Sequence, residues 1–536
     1  MQEEYDIIII GAGHNGLVCA AYLAKAGLKT INIEKRDVVG GAASTEEVTL
    51  PGFKHVTHSN YHGWIHLGPV YKELEVAKYH KYIFPDPSFA IVFEDRRSIL
   101  FHTGKGMDPV DRTCKSIERF SLKDAKTYRE IYSLHRNFSE LTKAWLFSPP
   151  LSYAQQFGLL EETEMGREFL REQLTSGKVV IEESFESDQV KAFMLSMQVQ
   201  VGVGVEQFGT GSYLPTMISL EHDPGWGLSV GGSVTLGLAL ARIVEDHGGK
   251  ILVNSPVERI LVKDGVATGV ELSNGRKIIA KKGVVSNIDP AGTFLKLTGE
   301  DYLEDSFIKK VKRYRPGMAV VTPHYALNEP IRYKAAEKDP QVNRSWGIFI
   351  AENADRVIDF YRNVHAGIPP KKPEDTMFIV VSNTLWDPTQ APAGKHTAFY
   401  WMHQPYHLKE GGAQKWAEIK EEVADIADDA WREYALNLTE ENILARHVDG
   451  PLDYERKMPQ LIEGCWLMGD MTQDQAGLFR PFHGYPPYRS PIENLYMCGA
   501  CNHPGGGISG APGYNCAGVI CEDLNVKKWW SPMSLK

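Results

Sequence analysis

The sequence predicts an α/β protein: a parallel sheet flanked by helices, interleaved with a second, mixed α+β domain. Three observations predict it. A strand, a glycine turn, a helix and a second strand are packed into the first 34 residues. A block of strand signals at about 225–300 follows a long helical stretch. Strand, glycine-rich turn and helix then recur near the C-terminal end, from Leu495 to Leu524. Strands alternating with helices and joined by glycine turns are the pattern of a Rossmann-type fold, whose parallel strands are buried on both faces.

The opening unit carries the most chemistry. Tyr5 to Ile10 is an apolar run, Gly11-Ala12-Gly13-His14-Asn15-Gly16 follows, and Leu17 to Ala26 has helical spacing stopped by Gly27. Lys29 to Ile33 returns as a strand ending on Glu34. Gly11 permits the tight turn, Gly13 lets a pyrophosphate approach the backbone, and Gly16 lets the helix lie close to the strand. Free N–H groups and the dipole at the helix start attract the phosphates. Glu34, 18 residues after Gly16, is placed to accept hydrogen bonds from ribose hydroxyls. The whole reads as a dinucleotide site. A second glycine turn, Lys35 to Ser44 around Gly40-Gly41-Ala42, follows where a nicotinamide dehydrogenase has no need of one.

Farther on, His55, His58, His62 and His66 fall in a polar segment with no Cys or paired carboxylate, so no metal site is expected. Residues 89–93 and 98–101 read as strands around a turn at 94–97. From Asp108 to Glu206 the pattern is helical, with a charged amphipathic stretch over 112–141, a break at 145–151 and a resumption over 154–174. Its apolar stripes read as core or as a membrane-facing patch. A helix over 234–247 precedes strands at 250–253, 255–260, 265–272 and 283–288. Strands at 318–326 and 377–382 and an amphipathic helix over 416–435 belong to the second domain. The dinucleotide-binding domain is thus expected at 1–70, 225–300 and 490–536, and the substrate domain at 71–224 and 301–489.

Composition narrows the class. At 536 residues, two domains are expected. A net charge of −10 argues against nucleic acid as a partner. No apolar window is long enough to cross a bilayer, and the first strand begins too early to leave room for a signal peptide. Seven Cys give no disulfide framework, so a reducing, cytoplasmic setting is expected.

Gly40-Gly-Ala-Ala-Ser-Thr-Glu-Glu47, Pro51-Gly52-Phe53 and the C-terminal Leu495-Tyr-Met-Cys-Gly499-Ala500-Cys-Asn-His503-Pro-Gly-Gly-Gly-Ile508-Ser509-Gly510-Ala-Pro-Gly together resemble one family. It is the phytoene-desaturase-like branch of the amine oxidase and carotenoid desaturase superfamily, the branch of pyridine nucleotide-disulphide oxidoreductase domain-containing protein 2. The departures are Ala42, where the superfamily usually has Arg, and Cys501 and Asn502, where Gly or Ser and Thr are common. The resemblance implies bound flavin adenine dinucleotide (FAD). It further implies flavin contacts at Ser59 and Asn60, an adenine contact through the backbone of Val257, and a glycine turn from Gly499 and Ala500 to Ile508, Ser509 and Gly510 that aims a helix N-terminus at the flavin. The activity implied is desaturation, saturation or isomerisation of carbon–carbon bonds in apolar, polyene or isoprenoid molecules, with oxygen, a quinone or another carrier as electron acceptor.

His503 and Arg480 are the candidate catalytic residues. An imidazole facing the flavin would move a proton near neutral pH, and a guanidinium would hold an anionic group. The alternative is that His503 orders its turn and Arg480 pairs with Asp470 or Asp474. Cys498 and Cys501 form a Cys-x-x-Cys, read as a redox pair or as coincidence. Lys527-Lys-Trp529-Trp530 suits peripheral contact with a membrane, or packing of the tail on the body. The rival functions are an amine or hydroxy-acid oxidase using oxygen and a non-catalytic flavin-bearing interaction protein.

Overall fold

The computed structural model describes residues 3–533. The first strand, Glu3–Ile10, lies between Thr30–Ile33 and Lys277–Ser286, all parallel, with Lys250–Leu252 outside Thr30–Ile33. Its isoleucines alternate: Ile7 and Ile9 enter the core under the helices, and Ile8 and Ile10 enter the core on the opposite face. A strand covered on both sides has no use for polar alternation, which is why the run is continuously apolar. Lys277–Ser286 serves two partners. Its start pairs antiparallel with Val266–Leu272, itself paired with Val257–Lys263, and its end pairs parallel with Leu495–Met497. The C-terminal strand thereby lies one strand away from the N-terminal one, with Lys277–Ser286 between them.

Three helices cover one face: His14–Lys25, Val234–Asp246 and Ala511–Asp523. They approach closely because glycines meet backbone. A Cβ on Gly237 would stand 2.5 Å from Gly40 Cα, and one on Gly513 would stand 2.1 Å from the Asn15 carbonyl.

The second sheet runs Ile443–Asp449, Ala319–Leu327, His396–Gln404, Phe378–Val381, Gly347–Ile350, Phe89–Val92, Ser98–Phe101. All pairs are antiparallel except Gly347–Ile350 with Phe89–Val92. Trp416–Arg432 and Ala354–His365 pack into its core, the largest in the molecule. The amphipathic stretch expected over 112–141 is divided into Asp108–Ile117, Leu122–Arg136 and Ser139–Leu146. The first division is made by Ser121, whose hydroxyl accepts from Asp124 N and so starts a new helix. Farther on, Ser152 and Gln155 form a capping box that begins Tyr153–Glu161. Among the described residues no helix is long and apolar enough to cross a membrane.

Candidate functional site

The site forms where the parallel strands end. Gly11, with φ +92°, donates its N–H to Ile33 O at 2.7 Å, and Asn287 N bonds Ile10 O at 3.0 Å. A Cβ on Gly16 would stand 2.6 Å from Gly11 O, so only glycine lets the helix sit this low on the turn. The second glycine turn folds back onto the first. Gly40 N donates to Ala12 O at 2.8 Å, and a Cβ on Gly41 would lie 2.9 Å from Gly13 Cα. The two turns therefore need their glycines for each other as well as for a ligand. Glu34 locks the arrangement: Oε2 accepts from Ala12 N at 2.8 Å and Oε1 from Arg36 N at 3.0 Å.

A cavity of about 440 Å³ opens over these turns and runs into the second domain. Of the residues expected at the cofactor, Gly11, Gly13, His14, Asn15, Glu34 and Lys35 lie on its wall. So do Gly41, Ala42, Ser59, Val257, Ala500, Ile508 and Ser509. Ala12, Gly16, Gly499 and Gly510 stand behind the wall as backbone supports; Gly510, at φ +69°, starts the last helix. Ile508 has φ +52°, a strained conformation for a β-branched residue, and it falls on the cavity wall. Ala42, at the family's arginine position, packs against Tyr454, Met458 and Leu461 and accepts from Ser59 N at 3.0 Å.

Several expectations are corrected. Asn60 is buried off the wall, its Oδ1 bonded to Asn383 Nδ2 at 2.8 Å, so it does not reach the cavity. Arg480 and His503 border a separate crevice. The Arg480 guanidinium donates to the carbonyls of Leu467, Asp470, Gln475 and Ala500, while Asp474 pairs with Arg315. Arg480 is a clamp on backbone, neither an anion holder nor a partner of either carboxylate. His503 is 1% exposed, its Nε2 bonded to Trp145 O at 2.8 Å, and burial pushes it down to about 4, so it neither faces the cavity nor titrates near neutrality. Cys498 and Cys501 enter cores on opposite faces of the first sheet, so the two thiols are not directed at each other as a redox pair needs. Of the two readings of the tail, the structure shows the packing on the body: Trp529 stacks on Tyr22 at 5.2 Å and donates to Tyr22 O, under Lys25 Nζ at 3.8 Å, and Trp530 is buried.

The structure adds residues that the sequence reading missed. Asn287 follows a central strand, and its amide reaches the glycine turn. A site at the carboxyl ends of parallel strands was the available signal. Arg36, Asp289 and Lys296 join Glu34 and Lys35 on the wall, with Lys296 close enough to act electrostatically on both Lys35 and Asp289. Asp289 is raised by burial although its Oδ1 accepts from Gly292 N at 2.6 Å. The wall also carries Trp64, Trp145, Trp226, Trp401, Trp466 and Met471. His58 stands on the wall with Nδ1 held by Ser44 and Thr57 hydroxyls at 3.0 and 3.1 Å and with Nε2 unpartnered. Burial pushes His58 down to about 3 and Tyr213 up to about 12, so both are neutral at pH 7.

Comparison with known proteins agrees with this geometry. A family model described as an NAD(P)-binding Rossmann-like domain matches residues 9–74. The mouse pyridine nucleotide-disulfide oxidoreductase domain-containing protein 2 is 31% identical, covering 98% of this chain and 94% of the relative. A limonene dehydrogenase chain of Castellaniella defragrans is 29% identical over 99% of this chain and 96% of that one. A lycopene-forming phytoene desaturase of Pseudescherichia vulneris is 24% identical over 96% and 99%. Among solved structures, an oxidoreductase from Methanosarcina mazei shares the fold with a TM-score of 0.61 at 17% identity, covering 97% of this chain and all of that one (100%).

Proposed function

The chain belongs to the family of pyridine nucleotide-disulfide oxidoreductase domain-containing protein 2, within the phytoene-desaturase-like oxidoreductases, and on that premise we propose that it binds FAD non-covalently and exchanges a hydride with a carbon atom of an uncharged, apolar substrate. One observation carries the substrate half of this reading. The charges on the cavity wall are those of Glu34, Lys35, Arg36, Asp289 and Lys296, and the rest of the wall is rich in tryptophan and methionine. A dinucleotide fits the charged stretch and a hydrocarbon the tryptophan-lined remainder.

The residues present fit the cofactor. Gly11, Gly13 and Gly41 bring backbone without side chains to the wall, and Asn15, whose Oδ1 is buried without a partner, lies on it as well. Gly13, His14 and Asn15, at the first helix N-terminus, would hold the pyrophosphate, and Glu34 the ribose. Val257 would face the adenine, and the wall from Gly506 to Ser509, leading to the last helix, would face the ring. Bound flavin supplies acceptance or donation of the hydride. The chain's own share is to orient the substrate between tryptophans, to exclude water and to keep His58 as a neutral hydrogen-bonding group. The electrons leave to oxygen, a quinone or another carrier.

The rival reading as an amine or hydroxy-acid oxidase is separated from this one by which substrate reduces the flavin. The test is anaerobic titration of the purified protein with limonene, a polyene and an amine. Bleaching of the visible flavin band by a hydrocarbon and not by the amine supports the reading. A protein that carries no flavin and takes none up, or one bleached by the amine alone, refutes it.

A further inference from the structure

Of the three cations on the cavity wall, Lys35, Arg36 and Lys296, two have no carboxylate partner. Arg36 reaches Glu46 at 3.4 Å. Lys35 and Lys296 are exposed, and their ammonium groups form no ion pair and no hydrogen bond among the described residues. The carboxylates on the wall are engaged with backbone. Both oxygens of Glu34 accept from the N–H groups of Ala12 and Arg36, and Asp289 Oδ1 accepts from Gly292 N. The wall's histidines, His14 and His58, are pushed down by burial to about 4 and about 3 and carry no charge at pH 7.

The fold brings Lys296 to the glycine turn from another part of the chain. Lys277–Ser286 ends beside the first strand, and a Cβ on Gly13 or Gly16 would stand 2.9 Å from Asn287 Nδ2. The chain then enters a π-helix, Ala291–Thr298, in which Gly299 N bonds Phe294 O at 3.1 Å. Bonds of i→i+5 spacing make a turn wider than that of an α-helix, so residues four and five apart share a face. Gly292, Lys296 and Leu297 accordingly lie together on the wall. Lys296 is in electrostatic range of Asp289, two residues past Asn287, and of Lys35, next to Glu34. Burial holds the Lys35 ammonium below its usual range, and Arg36 and Lys296 add to the effect. Like charges kept near one another cost free energy unless an anion meets both. A pyrophosphate carries two negative charges, and the helix N-terminus offers only a fraction of one positive charge. Ala42 brings none to the second glycine turn, where it packs against Tyr454, Met458 and Leu461.

We propose that Lys296, together with Lys35, is an electrostatic clamp on the phosphate-bearing half of the dinucleotide, adding whole charges to the N–H groups of the glycine turns. The assignment rests on the reading of this cavity as a dinucleotide site. It adds a binding residue that lies far from the glycine fingerprint in sequence, and it makes retention of the cofactor sensitive to ionic strength.

The rate at which diluted holoenzyme releases its flavin, read from the absorbance of ultrafiltrates, reports the clamp without reference to turnover. Lys296→Met keeps the aliphatic stem and removes the charge. At low salt it is expected to release flavin about tenfold faster than the parent chain, the effect of losing one charge-assisted contact. KCl at about 1 M, where the screening length is about 3 Å, is expected to speed release from the parent chain and to narrow its difference from the variant. Lys296→Arg is expected to restore slow, salt-sensitive release. Lys35→Met is expected to act in the same direction as Lys296→Met, and the two together to exceed either. A merely structural role for Lys296 would give faster release that salt does not narrow and that arginine does not rescue. That result, or a low-salt rate equal to the parent chain's, overturns the proposal. A chain that carries no flavin and takes none up overturns the dinucleotide reading and this proposal with it, whereas flavin held equally well without Lys296 overturns this proposal alone.

Discussion

Arg480 shows how residue type and neighbours suggest chemistry without giving depth or direction. Its sequence context, with His483 close behind and Asp470 and Asp474 before it, suits an anion-holding guanidinium as well as an ion pair. The fold turns the side chain inward onto carbonyls of Leu467, Asp470, Gln475 and Ala500. Charged donors to carbonyls are worth about 1.5–3 kcal/mol each, and orphaned carbonyls add their own cost. Arg480→Leu is therefore expected to lower unfolding free energy by roughly 3–5 kcal/mol, while the folded fraction keeps its flavin reduction rate. Urea unfolding beside stopped-flow reduction separates the two, and normal stability with lost reduction would restore a catalytic role. Glu34 was legible for a physical reason: its spacing from the glycines is set by one helix and one strand, so local geometry alone places it. Both its oxygens already accept backbone N–H groups. Glu34→Gln turns one acceptor into a donor facing an N–H, and dinucleotide affinity is expected to fall about tenfold, a loss near the value of one charge-assisted bond. Equilibrium dialysis with FAD measures it; unchanged affinity would place the ribose elsewhere.

At the scale of elements, periodicity gave most strands and helices near their observed ends, because continuous isoleucine runs and capped amphipathic stretches are local signals. It missed the division of residues 112–141, where a helical spacing persists across Ser121 although the chain turns there. Packing between elements was less legible. The sequence reading assigned the second glycine turn to a ligand, whereas Gly40 and Gly41 also meet Gly237 and Gly13 of other elements. The tail is a further case, since two tryptophans after two lysines look the same whether they meet lipid or a helix. Here Trp529 and Trp530 both pack on Tyr22 of the first helix. Removing the chain after Asn525 uncovers that helix, and burial of two large aromatics is worth several kcal/mol, on the order of 1.5–3 each. The expected outcome is a lower melting temperature with liposome sedimentation equal to that of the full chain. Equal melting temperatures with lost sedimentation would return the tail to a membrane role.

At the scale of the whole molecule, the site joins segments that lie hundreds of residues apart, with Gly13, Trp145, Trp226, Trp401 and Ile508 on one wall. No local pattern reports such a meeting; aromatic residues of the second domain look alike in sequence whether they line a cavity or fill a core. The same assembly buries histidines in bulk, and this has a consequence for stability. Burial pushes His14, His66, His80, His403 and His503 down to about 4, and His55, His58 and His222 to about 3. The unfolded chain takes up protons on these rings below their ordinary value of about 6.5, while the folded chain holds them neutral to lower pH. Stability is therefore full above about pH 6.5 and falls as pH drops toward 4, at about 1.4 kcal/mol for each pH unit and each ring in that window. Glu73, Glu221, Asp289, Glu352, Asp428 and Asp470, raised by burial, oppose the trend, since protonation relieves them. They are fewer than the rings, so the net slope keeps its sign. The urea midpoint is expected to fall between pH 6.5 and 4.5 with the denaturant slope unchanged, and His503→Gln is expected to remove one ring's share. A midpoint flat across that range would mean that these imidazoles reach water, and the water-excluding cavity inferred from the same packing would fall with them.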